Sequence, residues 1–201
     1  MNKLLIATNN KGKVIEFQEL LKDLAIQLIT PADISLELDV DETGSTYQEN
    51  ASLKAVAFSK ASGLISLADD SGLEVDALDG APGLYSARYG SVDGNKLSDA
   101  ERRKYLIQKL GDKPRPWKAH FHATIAISEP DGNVQFADGN CFGEIIPEER
   151  GDGGFGYDPI FLFPELGQTM AELNMEQKNR LSHRALAVMN TMPILKKMFG
   201  V

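Results

Sequence analysis

The hydrophobic positions near the N-terminus follow first a strand pattern and then a helical one. Residues 3–8 are a short apolar run that predicts a buried strand, and Phe17 and Leu21 belong to an apolar stripe at helical spacing. Residues 46–49 read Thr-Tyr-Gln-Glu, the pattern of a capping box that satisfies free N–H groups at a helix start. This pattern predicts a second helix that runs to about Gly63.

The second half of the chain has the pattern of a long β-hairpin followed by a terminal helix. Residues 117–128 and 134–146 predict two strands that a Pro-Asp-Gly turn connects. Strands of this length exceed the needs of one small sheet, so we expect a curved sheet that spans two lobes. Ser182 is a candidate N-cap for a last helix that begins at His183 and breaks or bends at Pro193.

The chain is organised around an apolar run, residues 64–68, that ends in two adjacent carboxylates, Asp69 and Asp70. We interpret it as a strand that delivers an acid pair into a cleft, with Ser71 and Gly72 turning the backbone behind it. Adjacent residues of an extended chain point to opposite faces, so we expect one acid to face a ligand and the other to brace the turn. An ordinary polar turn is the alternative interpretation of this stretch.

Composition and charge narrow the classes of function. The 201 residues carry a formal net charge of -8, which argues against binding to a nucleic acid polymer or an anionic membrane. The single cysteine, Cys141, indicates a reducing compartment, so the expected location is cytoplasmic. No apolar run is long enough for a signal sequence or a membrane span. The sequence has no repeat and no linker, which favours a single domain over residues 1–201.

Several cationic residues lie where a bound anion would explain them. Lys13 falls in the first turn of the first predicted helix, where the helix dipole disfavours positive charge. His183 and Arg184 likewise fall in the first turn of the last predicted helix. Lys54 shares a helix face with Asn50 and is a candidate for a cleft edge. For both lysines, exposure to solvent is the alternative.

Two further segments have compositions that suit ligand binding. Residues 37–42 are strongly acidic and form either a solvated loop or the source of a metal ligand. Residues 151–161 place four glycines around two aromatic residues and an aspartate, Asp158. Glycine lets the backbone approach a flat ligand closely, and the aromatic rings offer stacking surfaces. The second segment is therefore a candidate binding loop rather than part of a core.

Five sequence motifs follow one another along the chain. They are Thr8-x-Asn10-x-x-Lys13, Glu49-Asn50-Ala51 with Lys54-Ala55, Ala-Asp-Asp-Ser-Gly-Leu at 68–73, Gly-Phe-Gly-Tyr-Asp-Pro at 154–159, and Ser182-His183-Arg184. In order and spacing they resemble the inosine triphosphate pyrophosphatase family, the noncanonical purine nucleoside triphosphate pyrophosphatases. The resemblance covers essentially the whole chain, and the Ser-Ala-Arg-Tyr stretch at 86–89 is most similar to the bacterial branch.

The resemblance implies a fold and an activity. The implied fold is α/β, with a long, mixed, curved β-sheet that forms the floor of a cleft between two α/β lobes. The implied enzyme hydrolyses dITP, ITP and XTP, and their relatives such as dXTP, to the monophosphate and pyrophosphate, which keeps these nucleotides out of DNA and RNA. The resemblance further implies Mg²⁺ as the cofactor and a homodimer as the assembly.

The resemblance also implies roles for individual residues. It makes Asp70 the catalytic acid and a metal ligand. The second metal carboxylate of the family, a glutamate in a Glu-x-x-Gly context, aligns with the shorter acid Asp41, and Glu42 is the alternative. The residues expected to bind substrate are Thr8, Asn9, Asn10, Lys11, Gly12, Lys13, Lys54, Ser71, Phe155, Gly156, Tyr157, Asp158, Lys178, His183 and Arg184.

The implied reaction needs a water molecule in line with the α-phosphorus and neutralisation of the charge on the pyrophosphate leaving group, which lysines and magnesium supply. We hypothesise that Asp70 both binds the metal and accepts a proton from that water. Arg184 has donors only, so a pocket that donates to O6 of hypoxanthine or xanthine would oppose the amino group of adenine. The alternative functions are a nucleotide sensor without catalysis and a pyrophosphatase for other modified nucleotides.

Overall fold

The computed structural model describes residues 2–92 and 95–200, and its strands form one mixed sheet. The strands within this part of the chain are β1 (Lys3–Ile6), β2 (Gln27–Ile29), β3 (Ile65–Val75), β4 (Trp117–Ser128), β5 (Val134–Ile145), β6 (Phe161–Phe163) and β7 (Gln168–Thr169). Their order in the sheet is β2-β1-β3-β4-β5-β6-β7. β1 is parallel to β2 and β3, whereas β6 is antiparallel to β5 and β7. The expected α/β class with a mixed sheet is confirmed.

The helices begin and end close to where the sequence signals lie. They are α1 (Lys11–Leu20), α2 (Tyr47–Ser62), α3 (Asp99–Leu110), α4 (Met175–Leu181) and α5 (His183–Phe199). The sequence predicts a break or a bend at Pro193. Helix α5 continues through this residue, so there is no break, and the bend stays a prediction. Within residues 2–92 and 95–200, no helix is both long and apolar enough to cross a membrane.

Helix α2 is capped at both ends, although the predicted capping box is only half formed. The Thr46 hydroxyl accepts a hydrogen bond from the Glu49 N–H at 3.1 Å. The Glu49 carboxylate reaches one residue further back than a capping box requires and accepts from the Ser45 N–H at 2.6 Å. The helix ends at Gly63, whose left-handed backbone conformation is the usual C-terminal signal.

The predicted turn at Ser71 and Gly72 is wrong, because β3 runs without interruption from Ile65 to Val75. This strand lies between β1 and β4 in the middle of the sheet. β1 pairs with β3 at Ile65–Leu67, before Ser71 and Gly72, so the sheet neighbour of the later part of β3 is β4. Pairing within the sheet outweighs the local preference of a Ser-Gly pair for a turn. Asp69 and Asp70 therefore lie inside a central strand and not at its end.

The chain divides into two compact units. The terminal unit comprises Met1–Asp70, Ala123–Gly139 and Arg184–Val201, and the central unit comprises Ser71–His122 and Asn140–His183. In the terminal unit the strands are covered on both faces. One apolar cluster contains Phe17 of α1, Leu67 of β3 and Val188 of α5. The other contains Ala51 and Ala55 of α2 with Ala68 of β3.

Candidate functional site

Asp69 and Asp70 leave β3 on opposite faces, as the alternation of an extended chain requires. Asp69 follows Leu67 onto the face covered by α1 and α5, and Asp70 follows Ala68 onto the face covered by α2. Both side chains are buried. The predicted division of the acid pair into two environments is therefore present, although no turn produces it.

Two side chains of α2 contact the Asp70 carboxylate. The Lys54 ammonium lies 3.2 Å from Asp70 Oδ1, and the Asn50 amide donates to Asp70 Oδ2 at 3.2 Å. Asn50 and Lys54 are one helical turn apart, so α2 presents both to the same strand position. Helix α2 thus fixes both oxygens of the predicted catalytic acid.

Glu42 is the second carboxylate at this position. Its Oε1 lies 2.6 Å from the Lys54 ammonium, which therefore bridges Glu42 and Asp70. The loop that carries Glu42 is anchored by the Gly44 N–H, which donates to Asn50 Oδ1 at 2.8 Å. A Cβ at Gly44 would lie 2.7 Å from that same oxygen, so only glycine allows this approach. Asp41, the residue that the family alignment favoured, is exposed one position earlier.

The charges in this group shift the pKa values of its members. Burial raises the pKa of the Asp70 carboxyl, and Glu42 adds to the rise against the opposing attraction of Lys54. Burial lowers the pKa of the Lys54 ammonium, but Asp70, Asp69 and Glu42 outweigh burial and the net shift is upward. Lys54 therefore stays cationic at neutral pH, and Asp70 is more basic than an exposed aspartate.

The Asp69 carboxylate is held by cations from α1 and α5. Lys13 Nζ lies 3.1 Å from Asp69 Oδ1, and Arg184 donates from Nε and Nη2 to Oδ2 at 3.1 and 2.9 Å. The remaining Arg184 nitrogen, Nη1, donates to the Glu16 carboxylate. Arg184 is only 2% exposed. The predicted base-contacting arginine is thus engaged by two buried carboxylates of its own unit.

The electrostatics of this second group favour the charged forms of Asp69 and Arg184 but not that of Lys13. Burial raises the pKa of Asp69, but Lys13, Arg184 and Lys54 outweigh burial and hold it well below its usual range. Burial lowers the pKa of Lys13 in spite of the attraction of Asp69. Glu16 was not among the predicted residues, because a glutamate on a helix is usually a solvated residue and its burial depends on a partner far away in sequence.

The predicted phosphate loop lies between β1 and α1. Asn10 is the N-cap of α1, and its side chain accepts from the Lys13 N–H at 3.1 Å. The Thr8 hydroxyl accepts from the Asn10 N–H at 3.2 Å, and the Asn9 amide donates to the Leu38 carbonyl at 3.3 Å. These hydrogen bonds place the loop at the start of a helix, where N–H groups and the dipole favour an anion. Lys11 and Gly12 form the first turn beside Lys13.

In the central unit, Asp158 organises the predicted base-recognition loop. Its Oδ2 accepts from the Phe155 N–H at 3.0 Å and from Lys178 of α4 at 2.8 Å. The Lys178 ammonium also lies 5.5 Å from the centre of the Phe155 ring, within the range of a cation–π contact. At Gly154, φ is +73° and an added Cβ would lie 2.0 Å from Asp158 Oδ2, so a side chain is excluded there.

The remaining predicted residues of the central unit are also placed by packing. The Tyr157 hydroxyl donates to the Ser86 carbonyl at 2.9 Å, and burial raises the pKa of this phenol. The His183 ring stacks on Phe121, with a centroid distance of 4.7 Å and an interplanar angle of 13°. Ser71 is half-buried on β3 directly after Asp70. The central unit thus offers a stacking ring, an anchored lysine and a buried histidine.

Several residues of the site were not predicted to be site residues from the sequence, and their contacts are with residues distant in sequence. Asn50 was noticed for its position beside Lys54, and the i, i+4 spacing was the available signal. Glu42 was open as an alternative to Asp41, and only the contact with Lys54 distinguishes the two. Asp99 and Arg103 of α3, which contact the backbone of Gly156, had no recognisable signal.

The donor chemistry of the Asp70 group suits a hard divalent cation. Among the described residues, no group of three or more His, Cys, Asp and Glu side chains is arranged to hold a metal ion. Mg²⁺ does not require such a group, because one or two carboxylates together with substrate phosphates are its usual ligands. Asp70 and Glu42 both contact the same cationic nitrogen, Nζ of Lys54, so the two carboxylates lie close together. Together they could hold a hard divalent cation.

Comparison with known proteins gives consistent matches over nearly the full length. A family model described as the Ham1 family matches residues 4–194. The chain is 46% identical over 198 residues to a dITP/XTP pyrophosphatase of Desulforamulus reducens, covering 98% of this chain and 97% of that protein. A dITP/XTP pyrophosphatase of Thermus thermophilus is 47% identical over 187 residues, covering 92% of this chain and 88% of that protein.

Solved structures give the same result. The Staphylococcus aureus Ham1 protein is 42% identical to this chain and has a TM-score of 0.84, with 98% of this chain and 100% of that chain covered. A HAM1 protein from Coxiella burnetii is 41% identical and has a TM-score of 0.87, with the same coverage of 98% and 100%. At this identity and coverage, the similarity extends to the regions that carry Asp70 and Asp158.

Proposed function

This chain belongs to the Ham1 family, and we propose that it hydrolyses noncanonical purine nucleoside triphosphates, such as dITP, ITP and XTP, to the monophosphate and pyrophosphate. The resemblance that the five motifs indicated is thereby confirmed. The class of enzyme is a nucleoside triphosphate pyrophosphatase, as the names of the curated relatives state for those proteins.

The observation that carries the proposal is the group around Asp70. A single buried carboxylate is contacted by a lysine and an amide, and a second carboxylate lies on the same lysine. A protein that only bound nucleotides would gain nothing from acids beside the phosphates, because a carboxylate without a cation repels them. The arrangement is instead suited to a site where a cation, a polyphosphate and a reacting water meet.

We assign the polyphosphate to the cations and N–H groups of the terminal unit. Lys54 keeps its charge because three carboxylates raise its pKa, so it is available to neutralise phosphate oxygens. Lys13, with Lys11, Gly12 and the capping residue Asn10, provides the start of α1 as a second anion-binding region. In the reaction, these groups offset the charge that develops on the departing pyrophosphate.

We assign the attacking water to Asp70. A general base works best when its pKa is close to the working pH, and burial moves the pKa of Asp70 upward in that direction. Asn50 donates to one carboxylate oxygen and so fixes the orientation of the other. Asp70 thus accepts the proton of the water as its oxygen approaches the α-phosphorus.

We propose Mg²⁺ as the cofactor, held by Asp70 and Glu42. The sequence pointed to Asp41 for the second ligand, but the contact of Glu42 with Lys54 supports Glu42. When bound, the ion supplies charge neutralisation for the phosphate oxygens. Asn50 holds the Glu42 loop through Gly44, so the chain itself keeps the two carboxylates at one position.

We assign the purine base to the loop around Asp158 in the central unit. Phe155 provides a stacking surface that does not depend on which base is present. Lys178 donates to Asp158 of this loop, and His183 is a second polar group of the same unit. A donor that faces O6 favours hypoxanthine and disfavours adenine, whose N6 amino group is also a donor. The predicted contact of Arg184 with the base stays a prediction, since Asp69 and Glu16 engage its guanidinium. We further propose that the enzyme acts as a homodimer in the cytoplasm.

One assay tests the proposed function. The protein is incubated with ITP, XTP, dUTP and ATP, with and without Mg²⁺, and the release of pyrophosphate and orthophosphate is measured. We expect pyrophosphate from ITP and XTP in the presence of Mg²⁺, and much slower turnover of dUTP and ATP. Release of orthophosphate, or equal turnover of ATP and ITP, would contradict the proposal.

A further inference from the structure

Helix α3 holds the loop around Phe155 from outside, at the peptide groups of Gly156. The Gly156 N–H donates to Asp99 Oδ2 at 2.6 Å. The Gly156 carbonyl accepts from Arg103 Nη1 at 2.8 Å. Asp99 and Arg103 are four positions apart on α3, so both point from the same face of that helix. Two charged side chains of one helix therefore hold the donor and the acceptor of a single glycine.

Both of these side chains are themselves anchored. Arg102 donates to the other oxygen of Asp99, and Arg103 Nη2 donates to Glu149 at 2.7 Å. The hydrogen bond from Arg103 lowers the pKa of Glu149, so this pair is charged at neutral pH. A charged donor or acceptor makes a stronger hydrogen bond than a neutral one. The contacts with Gly156 thus belong to a connected network rather than to two independent surface bonds.

Gly156 is a position in the loop where the backbone conformation depends on restraint by its surroundings. Its φ is +61°, in the left-handed region, and glycine has the widest range of backbone conformations of any residue. Asp158 restrains the loop from inside through the Phe155 N–H and, with its own N–H, through the Phe155 carbonyl, but neither bond reaches the Gly156 carbonyl. The bonds from Asp99 and Arg103 add restraints at the N–H and the carbonyl of Gly156.

We propose that Asp99 and Arg103 are positioning residues for base selection, which hold the Gly156 peptides and thereby fix the Phe155 ring and the Asp158 carboxylate. The inference rests on the proposed function, because it takes the Phe155–Asp158 loop to be the part that contacts the purine. Neither side chain needs to touch the substrate. Their loss is expected to affect binding of the base and not the chemistry at Asp70.

The test uses three alanine variants of α3 and two conservative variants. In Arg103→Ala and Asp99→Ala we expect KM for ITP to rise about tenfold, because each loses a hydrogen bond to a charged group. We expect kcat to change less than about twofold, since the loop takes no part in the bond-breaking step. The preference for ITP over ATP, as the ratio of kcat/KM values, is expected to fall. Lys104→Ala is the matched control, because Lys104 is an exposed cation beside Arg103.

Asp99→Asn separates positioning from a general effect on folding. Asparagine keeps an oxygen that accepts from the Gly156 N–H but loses the charge that pairs with Arg102, so we expect most of the wild-type KM and preference to return. Thermal unfolding of every variant shows whether α3 still folds. If the alanine variants do not fold, the positioning role is tested by comparing Asp99→Asn with Arg103→Lys. The lysine keeps the positive charge of Arg103 but cannot contact Gly156 and Glu149 at the same time. We therefore expect Arg103→Lys, and not Asp99→Asn, to lose the preference for ITP over ATP.

The outcomes distinguish this inference from the proposed function. If the wild-type protein releases no pyrophosphate from ITP, the proposed function fails. If the wild type is active but KM and the ITP preference are unchanged in folded Arg103→Ala and Asp99→Ala, only the positioning role fails. A loss confined to kcat, or an equal rise in KM for ITP and ATP, would also overturn it.

Discussion

The buried guanidinium of Arg184 gives a direct test of the charge arrangement in the terminal unit. Arg184 connects Asp69 and Glu16, and the side chains of both carboxylates are less than one-tenth exposed. In Arg184→Met, an apolar chain of similar length takes the place of the arginine. Among the described cations within hydrogen-bonding distance of Asp69, Lys13 then remains, and Glu16 loses its ion pair with Arg184. We expect the main effect to be a loss of stability.

The magnitude follows from the burial of the groups that remain. Removing one member of a buried ion pair costs about 3–5 kcal/mol, because the other member stays desolvated without compensation. For a domain of this size each kcal/mol lowers Tm by roughly 2–4 °C, so a fall in Tm on the order of 10 °C is expected. The donor role toward the base that the sequence analysis gave to Arg184 would instead place the main effect of its loss on base discrimination.

The assay is urea unfolding followed by tryptophan fluorescence and circular dichroism, with thermal unfolding as a second measure. Arg180→Met is the matched control, because Arg180 is an exposed arginine of α4 and its loss should cost less than about 0.5 kcal/mol. The double variant Arg184→Met/Glu16→Gln removes one of the two remaining carboxylate charges. We expect it to recover at least about 1 kcal/mol of the lost stability.

Two results would refute this reasoning. One is a change in the free energy of unfolding of less than about 1 kcal/mol in Arg184→Met, which would mean that the buried charges are not coupled as the contacts indicate. The other is a double variant that is less stable than the single one. In either case a role of Arg184 in contacting the base would regain support.

Three further predictions follow from the acids of the terminal unit. Asp70→Asn should lower kcat at least about 100-fold while Tm stays close to that of the wild type; a near-native rate would remove Asp70 from the mechanism. Glu42→Gln should raise the Mg²⁺ concentration for half-maximal activity about tenfold, whereas Asp41→Asn should leave it unchanged, and the reverse ranking would restore Asp41 as the ligand. The pKa of Asp69 is lower in the folded chain than its ordinary value of 3.8, so its contribution to stability is present above that pH and is lost as the pH falls. In urea titrations, the difference in free energy of unfolding between wild type and Asp69→Asn should therefore become smaller as the pH falls from about 5 to about 3. A difference that stays constant over this range would contradict the lowered pKa of Asp69.

Local signals were sufficient where a few neighbouring residues decide the structure. The start and end of α2 follow from Thr46 and Gly63, whose capping roles depend only on adjacent backbone groups. The separation of Asp69 from Asp70 follows from the period of an extended chain, and the strands of the hairpin from their alternation. The five motifs were enough to identify the family.

The predictions that failed or stayed open depend on contacts between distant segments. The turn expected at Gly72 is overridden by pairing within the sheet, where β4, a strand far away in sequence, is the neighbour of β3 beyond its pairing with β1. The burial of Arg184 depends on Glu16 of α1, at a sequence separation of 168 residues. The link between α3 and Gly156 is equally non-local. No periodicity or spacing reports such pairs, because each partner looks like a solvated charge on its own.

The position of Asp69 and Asp70 within one unbroken strand has a consequence for how this protein tolerates change. The residues flanking the pair, Ala68 and Ser71, continue the same alternation, so inserting or deleting one residue just before the pair would exchange the two acids between the faces of the sheet. The acid that now meets Lys13 and Arg184 would then face Lys54, and its neighbour would face the buried arginine. Substitutions can weaken the two charge groups one at a time, whereas a length change in β3 would disrupt both at once.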